Sequence, residues 1–169
     1  MIVMPSVVLL IRHAEKPHQE RRRVYSNYDA NLSVRGHSRA EALAGHVPAT
    51  FPKPDFLFAA KGSPKSNRPA ETIAPLAKRL SLGINTDYAD EDYQRLAMAL
   101  LNDDRYDSRV VLICWHHGTL PSLAFALGAA EPPTWPAPVF DRIWRIDYTD
   151  GGAVLQDQPQ RLLPGDSFF

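Results

Sequence analysis

The sequence has too little cysteine for a disulfide framework, since Cys114 is the only cysteine among its 169 residues. It lies inside an apolar run, where a buried and inert thiol is expected rather than a nucleophile. We therefore expect a protein of a reducing compartment, of which the cytoplasm is the simplest.

The sequence also lacks an excess of charge of either sign. Lys and Arg together number 19, as do Asp and Glu, so the formal net charge is zero. General attraction to nucleic acid or to an anionic membrane is therefore not expected. Any site for an anion must therefore be local.

The first ten residues, MIVMPSVVLL, have no basic leader and meet Arg12 too early for a signal peptide or a spanning helix.

Long apolar runs are few, and the two clearest, residues 7–11 and 110–115, each end abruptly in polar residues. Runs rich in Val, Ile and Leu are typical of parallel strands that helices cover on both faces. The length fits one domain, residues 1–169, which is large enough to bury a core. We therefore predict an α/β fold with a mostly parallel central sheet, arranged as a three-layer α/β/α sandwich.

Helices and further strands are predicted between and after these runs. Apolar residues recur at helical spacing in four stretches: residues 33–48, 68–80, 90–102 and 120–128. Shorter strand patterns occupy residues 55–60, 82–86 and 139–148, and the last is expected at an edge of the sheet. Residues 17–31 are polar and predict a loop over the crevice, and their arginines 21–23 could help to attract an anionic substrate.

Charged side chains follow three of the predicted strands, at Arg12-His13, near Arg68 and at His116-His117. If the three strands are neighbours, these side chains form one pocket with two guanidinium groups and two imidazoles. Arginine matches phosphoryl oxygens with a planar fork of donors, and a histidine can be neutral and attack or be charged and stabilise. The pattern predicts phosphoryl transfer through a phosphohistidine, which water then hydrolyses.

The stretch Leu10-Ile-Arg-His-Ala-Glu-Lys16 resembles the signature of the histidine phosphatase superfamily, which includes phosphoglycerate mutases and phosphohistidine phosphatases. In that signature the histidine is the nucleophile, and the arginine before it binds phosphate. The resemblance implies a phosphoglycerate mutase-like fold, a nucleophilic His13 and a phosphate-binding Arg12. Glu15 and Lys16 complete the motif and are expected to contribute to substrate binding.

Three further stretches resemble the same family in the same order. Leu32-Ser-x-x-Gly36 with Arg39-Ala40 is similar to the helix opening that follows the signature. The stretch from Ser63-Pro64 through Arg68 to Glu71-Thr72 is similar to the segment with the second phosphate-binding arginine, which implies that role for Arg68. The strand that ends in His116-His117-Gly118 is similar to the segment with the second catalytic histidine.

Two adjacent histidines stand where the family pattern needs one. The position directly before Gly118 favours His117 as the second catalytic histidine. Counting back from Leu120-Pro121 at the commoner family spacing selects His116 instead. Both residues therefore stay candidates, with His117 preferred.

The acid that would protonate a leaving oxygen is placed only by region, at Asp90, Glu91 or Asp92. Such residues are more often solvated acids in the first turn of a helix. Without an acid, a substrate with a good leaving group, such as a phosphoramidate or an anhydride, would be favoured.

We therefore predict a phosphatase that hydrolyses a phosphate ester or phosphoramidate on a small molecule or a phosphoprotein, with no metal and no cofactor. A mutase is less favoured, because the chain is short and has no obvious insertion to close over a sugar phosphate. A second hypothesis is that the histidines and Glu15 bind zinc, but Arg12 and Arg68 would repel the metal. A third hypothesis is a non-catalytic phosphate-binding or interaction module with the same fold.

Overall fold

The structure is a computed structural model that describes residues 3–17 and 30–169. Most of the loop predicted over the crevice, with its arginines 21–23, lies outside the described residues. Within them the chain forms six strands and four α-helices. In chain order these are β1 (Val7–Arg12), α1 (Val34–Thr50), β2 (Phe56–Ala59), α2 (Arg68–Leu80), β3 (Ile84–Asn85), α3 (Tyr93–Asn102), β4 (Val110–Trp115), α4 (Leu120–Ala126), β5 (Arg142–Thr149) and β6 (Gly152–Pro159).

All six strands belong to one sheet, in the order β3-β2-β4-β1-β5-β6. The four strands β3, β2, β4 and β1 run parallel, whereas β5 is antiparallel to both β1 and β6. The predicted neighbourhood of β1, β2 and β4 is therefore confirmed. The strand predicted at the edge, β5, instead lies inside the sheet, because β6 pairs along its whole length and forms the edge.

Helices cover both faces of the sheet, which confirms the three-layer α/β/α sandwich. Alternate residues of β1 and β4, such as Leu10 and Ile113, pack into a core with α3 and α4. The residues between them, such as Leu9 and Leu112, pack into a second core with α1 and α2. Every residue of β1 and β4 is buried, as two-sided packing of a central strand requires.

The opening of α1 holds the loop that follows β1. Ser33 is the N-cap, as predicted, and its hydroxyl accepts a hydrogen bond from the Gly36 amide at 3.0 Å and donates one to the Glu15 carbonyl at 3.1 Å. A Cβ at Gly36 would lie 2.3 Å from that carbonyl oxygen, so only glycine fits this contact. The helix runs past its predicted end near Pro48 and continues to Thr50.

None of the helices within residues 3–17 and 30–169 is long and apolar enough to cross a membrane.

Candidate active site

Arg12 and His13 lie where β1 ends, beside the end of β4. Parallel pairing sets Arg12 opposite Trp115, and the His13 amide donates to the Trp115 carbonyl at 3.0 Å. Both side chains are buried, with 1% of Arg12 and 3% of His13 exposed. The rigid sheet therefore fixes both residues at its carboxyl edge, where ligands bind in open α/β folds.

The ring of His13 is held in one tautomer. Its Nδ1 lies 2.8 Å from the carbonyl oxygen of Ala14, which can only accept, so Nδ1 carries the proton. Burial, the charge of Arg12 and the neighbouring His116 and Arg68 lower the pKa of His13 to about 3, although its bond to Ala14 acts in the opposite direction. The imidazole is therefore neutral at physiological pH, and the lone pair of Nε2 is available for attack.

His116 is the histidine that faces His13. Their ring centroids lie 5.3 Å apart, with the ring planes at 70°. Burial lowers the pKa of His116, and Arg68 and Arg12 act in the same direction, whereas Asp90 acts to raise it. The geometry therefore favours His116 over His117 as the second histidine of the site, against the preference drawn from Gly118.

His117 lies at the same edge of the site. Burial lowers its pKa, followed by the charges of Arg12, Lys16 and His116, while Asp90 acts to raise it. The pKa of His117 therefore responds to the charges of the site, but the ring that contacts His13 is that of His116.

Permanent positive charges surround the two imidazoles. Burial and then the repulsion from Arg68 lower the pKa of Arg12 to about 10, so Arg12 stays charged at neutral pH. Burial, Arg12 and Arg68 lower the pKa of the exposed Lys16. Each of these three cations thus lies within electrostatic range of the others, and a cluster of this kind favours an anion.

The start of α2 is bonded to the loop that carries His13, and this places Arg68. The Thr72 hydroxyl donates to the Arg68 carbonyl at 2.7 Å and accepts from the Ala14 amide at 2.8 Å. Arg68 is the first residue of α2, as predicted. One hydroxyl thus links the second arginine to the residue that follows His13.

Asp90 is the acid of its region whose charge acts on His116 and His117. Its Oδ2 accepts from the Thr119 hydroxyl at 3.0 Å, and its carbonyl accepts from the Trp115 indole at 3.3 Å. Its Oδ1 is buried and has no hydrogen-bond partner among the described residues. Asp92 instead caps the Ala89 amide, and Glu91 is exposed. The sequence named all three acids, and only packing against β4 separates Asp90 from the others.

Glu15 does not fit the prediction that it binds substrate. Its Oε1 accepts from Arg39 Nε at 2.7 Å, and its Oε2 accepts from Arg39 Nη2 at 3.1 Å and Arg35 Nε at 2.9 Å. Because both oxygens are engaged by cations outside the pocket, Glu15 orders the signature loop instead. Sequence reasoning missed this partner, since nothing local connects Arg39 to Glu15.

The described part of the chain contains no group of three or more His, Cys, Asp or Glu side chains placed to hold a metal ion. The hypothesis that the histidines bind zinc therefore has no matching set of ligands within residues 3–17 and 30–169.

The sequence matches a family model over the segment that contains this edge of the site. The model for the histidine phosphatase superfamily (branch 1) matches residues 8–94, more than half of the chain. The protein belongs to the histidine phosphatase superfamily. The matched segment of this histidine phosphatase family member contains Arg12, His13, Arg68 and Asp90, and β4, which His116 follows, comes after it in the chain.

Solved structures of histidine phosphatases share the fold. A protein assigned as the phosphohistidine phosphatase SixA of Agrobacterium tumefaciens is 21% identical, with a TM-score of 0.53 over 85% of this chain and 92% of that one. The protein histidine phosphatase SixA in complex with tungstate is 16% identical, with a TM-score of 0.63 over 91% and 97%. A mycobacterial glucosyl-3-phosphoglycerate phosphatase is 15% identical, with a TM-score of 0.56 over 94% and 99%. No curated protein sequence matches the chain.

Phe140 is a residue of the site that sequence reasoning missed. The centroid of its ring lies 3.8 Å from Cζ of Arg12 and 6.1 Å from the centroid of the His13 ring. It belongs to the proline-rich segment between α4 and β5, which carries no local signal of such a contact.

Proposed function

We propose that this histidine phosphatase family member is a phosphatase that uses His13 as its nucleophile. The observation that carries the proposal is the buried, neutral imidazole of His13, whose bond to the Ala14 carbonyl leaves Nε2 without a proton. Neutral histidine can attack phosphorus, whereas protonated histidine cannot. The cations around the ring attract the phosphoryl group to that nitrogen.

In the first step, the lone pair of Nε2 forms a bond to phosphorus while the bond from phosphorus to the leaving oxygen breaks. Arg12, Arg68 and Lys16 offset the negative charge of the phosphoryl oxygens, and His116 donates a hydrogen bond to one of these oxygens. In the second step, water attacks phosphorus and the bond to Nε2 breaks, which releases phosphate and regenerates neutral His13.

We propose Asp90 as the proton donor to the leaving oxygen. The protonated carboxyl gives its proton as the ester bond breaks, and the resulting carboxylate takes a proton from the attacking water. Its unpartnered Oδ1 and its electrostatic interaction with His116 support this role. An acid in the site favours substrates with poor leaving groups, so we propose phosphate monoesters, on a small molecule or a phosphoprotein, ahead of phosphoramidates. The neighbours are named for both classes, a protein histidine phosphatase and a glucosyl-3-phosphoglycerate phosphatase.

The test is hydrolysis of p-nitrophenyl phosphate by the wild type and by His13→Ala, with His37→Ala as the control. His37 lies on α1 with a side chain that is 61% exposed, and its ring approaches Glu71 at 3.9 Å rather than His13 or His116. We expect His13→Ala to lower kcat at least about 10³-fold and His37→Ala to leave it unchanged. Quenching the wild type with alkaline denaturant, in which the N–P bond is stable, should trap a phosphohistidine that is lost on acidification, and a chelator should leave the rate unaltered. Undiminished turnover by His13→Ala would remove the residue from the mechanism, and tungstate binding without turnover by the wild type would favour a binding module.

A further inference from the structure

Arg12 is held from one side by the segment between α4 and β5. Its Nη1 donates to the carbonyl oxygens of Ala137 and Val139, the latter at 2.9 Å. The Phe140 ring lies against the guanidinium plane, with its centroid 3.8 Å from Cζ. Two backbone carbonyls and one aromatic face therefore fix both the position and the tilt of the group.

This anchoring leaves the other edge of Arg12 for a ligand. Nη1 has two hydrogens, and the two carbonyls take both. Nε is buried and has no hydrogen-bond partner within the described residues. The Nε–Nη2 edge is one of the two edges with which a guanidinium binds two oxygens of a phosphoryl group at once. The contacts on Nη1 thus determine which edge Arg12 presents.

Phe140 is itself held by a chain of buried hydrogen bonds. Its carbonyl accepts from Gln160 Nε2 at 3.3 Å, and Gln160 Oε1 accepts from Arg39 Nη1 at 2.7 Å. Arg39 in turn binds Glu15 of the signature loop. Gln160 and Arg39 are both buried. The same network of hydrogen bonds therefore joins the loop after β1, through Glu15, to the segment before β5, through Phe140. Arg12 lies between these two segments of the chain.

Phe140 packs into neither hydrophobic core of the sandwich. Its ring contacts are with Arg12 and His13, at 3.8 Å and 6.1 Å. Loss of the aromatic ring should therefore affect the guanidinium more than the stability of the fold.

We propose that Phe140 is a positioning residue for phosphoryl binding, which holds the plane of Arg12 so that its Nε–Nη2 edge faces the phosphoryl oxygens. The proposal rests on the proposed function, because it assumes that Arg12 binds the phosphoryl group. A long, flexible arginine side chain loses rotamer freedom when it binds, and the ring removes part of that freedom in advance.

The test compares Phe140→Leu, which keeps apolar bulk without a π face, with Phe140→Tyr, which keeps the face. The probe is tungstate, and its Kd is measured by calorimetry beside KM and kcat for p-nitrophenyl phosphate. We expect Phe140→Leu to weaken tungstate binding about tenfold and to raise KM by a similar factor, with a smaller change in kcat. Phe140→Tyr should stay within about twofold of the wild type. Phe125→Leu, on an α4 side chain that is 68% exposed, is the matched control and should change neither constant.

Far-UV circular dichroism and the thermal midpoint show whether each variant folds, and Phe140→Met replaces Phe140→Leu if the latter does not. Wild-type affinity for tungstate in Phe140→Leu, in a protein that hydrolyses the ester, would overturn the positioning role alone. Loss of affinity in Phe140→Tyr equal to that in Phe140→Leu would also overturn it, since the π face is then irrelevant. A wild type that neither binds tungstate nor hydrolyses the ester would overturn the proposed function and this inference together.

Discussion

The imidazoles of His13 and His116 meet edge to face, with their centroids 5.3 Å apart. The two residues follow the ends of β1 and β4, which are paired so that Arg12 lies opposite Trp115. The register between these central strands therefore sets the distance between the two rings. We expect substitution of His117, one position further along the chain, to have a smaller effect than substitution of His116.

We expect His116→Ala to lower kcat for p-nitrophenyl phosphate by about 10²- to 10³-fold, as removal of one donor to a transition-state oxygen does. His117→Ala should lower it less than about tenfold, because His117 makes no ring contact with His13. Steady-state kinetics of the two variants check this. The reverse order would return the role to His117, and equal losses would contradict the preference for His116.

The effect of Asp90→Asn on the rate of hydrolysis should depend on the leaving group of the ester. The amide cannot donate the carboxyl proton, so kcat/KM for an alkyl phosphate, which reports the first step, should fall about 10²- to 10⁴-fold. The same constant for p-nitrophenyl phosphate, whose leaving group needs no proton, should fall less than about tenfold, while loss of the base for water should lower kcat for both esters. Rates for a series of esters with leaving groups of different pKa measure this. Glu91→Gln, at an exposed position one residue further on, is the control and should match the wild type. A uniform loss of kcat/KM across the series would assign Asp90 a role in orienting His116 instead.

The lowered pKa of His13 should make stability depend on pH. The folded pKa is about 3 and the ordinary value is 6.5, so between these values the unfolded chain binds a proton that the folded chain does not. The free energy of unfolding therefore rises with pH in this window, and acidification from about pH 7 to about pH 5 should lower it by about 2 kcal/mol through this group. Urea unfolding of wild type and His13→Asn at both pH values tests the sign. The variant should lose less stability on acidification, and equal losses would contradict the assignment.

Gly36 and Gly45 on α1 form a matched pair. A Cβ at Gly36 would lie 2.3 Å from the Glu15 carbonyl oxygen, whereas a Cβ at Gly45 would meet nothing within 4 Å. Gly36→Ala should lower the free energy of unfolding by about 1–3 kcal/mol, because the signature loop must move. Gly45→Ala should raise it by up to about 1 kcal/mol, through helix propensity alone. Chemical denaturation measures both, and a neutral Gly36→Ala would show that the loop is not held by this contact.

The strands that carry the site could be predicted because their sequences are nearly all apolar. Apolar runs such as residues 7–11 and 110–115 are typical of central strands that are packed on both faces, and the structure buries all of β1 and β4. The alternating pattern of residues 139–148 predicts an edge strand, because the sequence of β6, with Gln156, Asp157 and Gln158, does not by itself show which strand it pairs with. Pairing along β6, which only the tertiary structure reveals, moves β5 to the interior of the sheet.

The residue types of the site could also be predicted, but not their partners. Side chains at successive positions after a strand point in different directions, so the choice between His116 and His117 depends on the turn after Trp115. The engagement of Glu15 by Arg39 and the contact of Phe140 with Arg12 join segments far apart in the chain. No local pattern encodes contacts of this kind.

The complete burial of Cys114 has a practical consequence for labelling. It is the only cysteine in the sequence, its side chain is fully buried in β4, and burial raises the pKa of its thiol. Maleimide reagents modify accessible thiolates, so they should leave the native protein untouched. A cysteine substituted for Met98, which is exposed on α3, would then take up a single fluorophore without any change to the core.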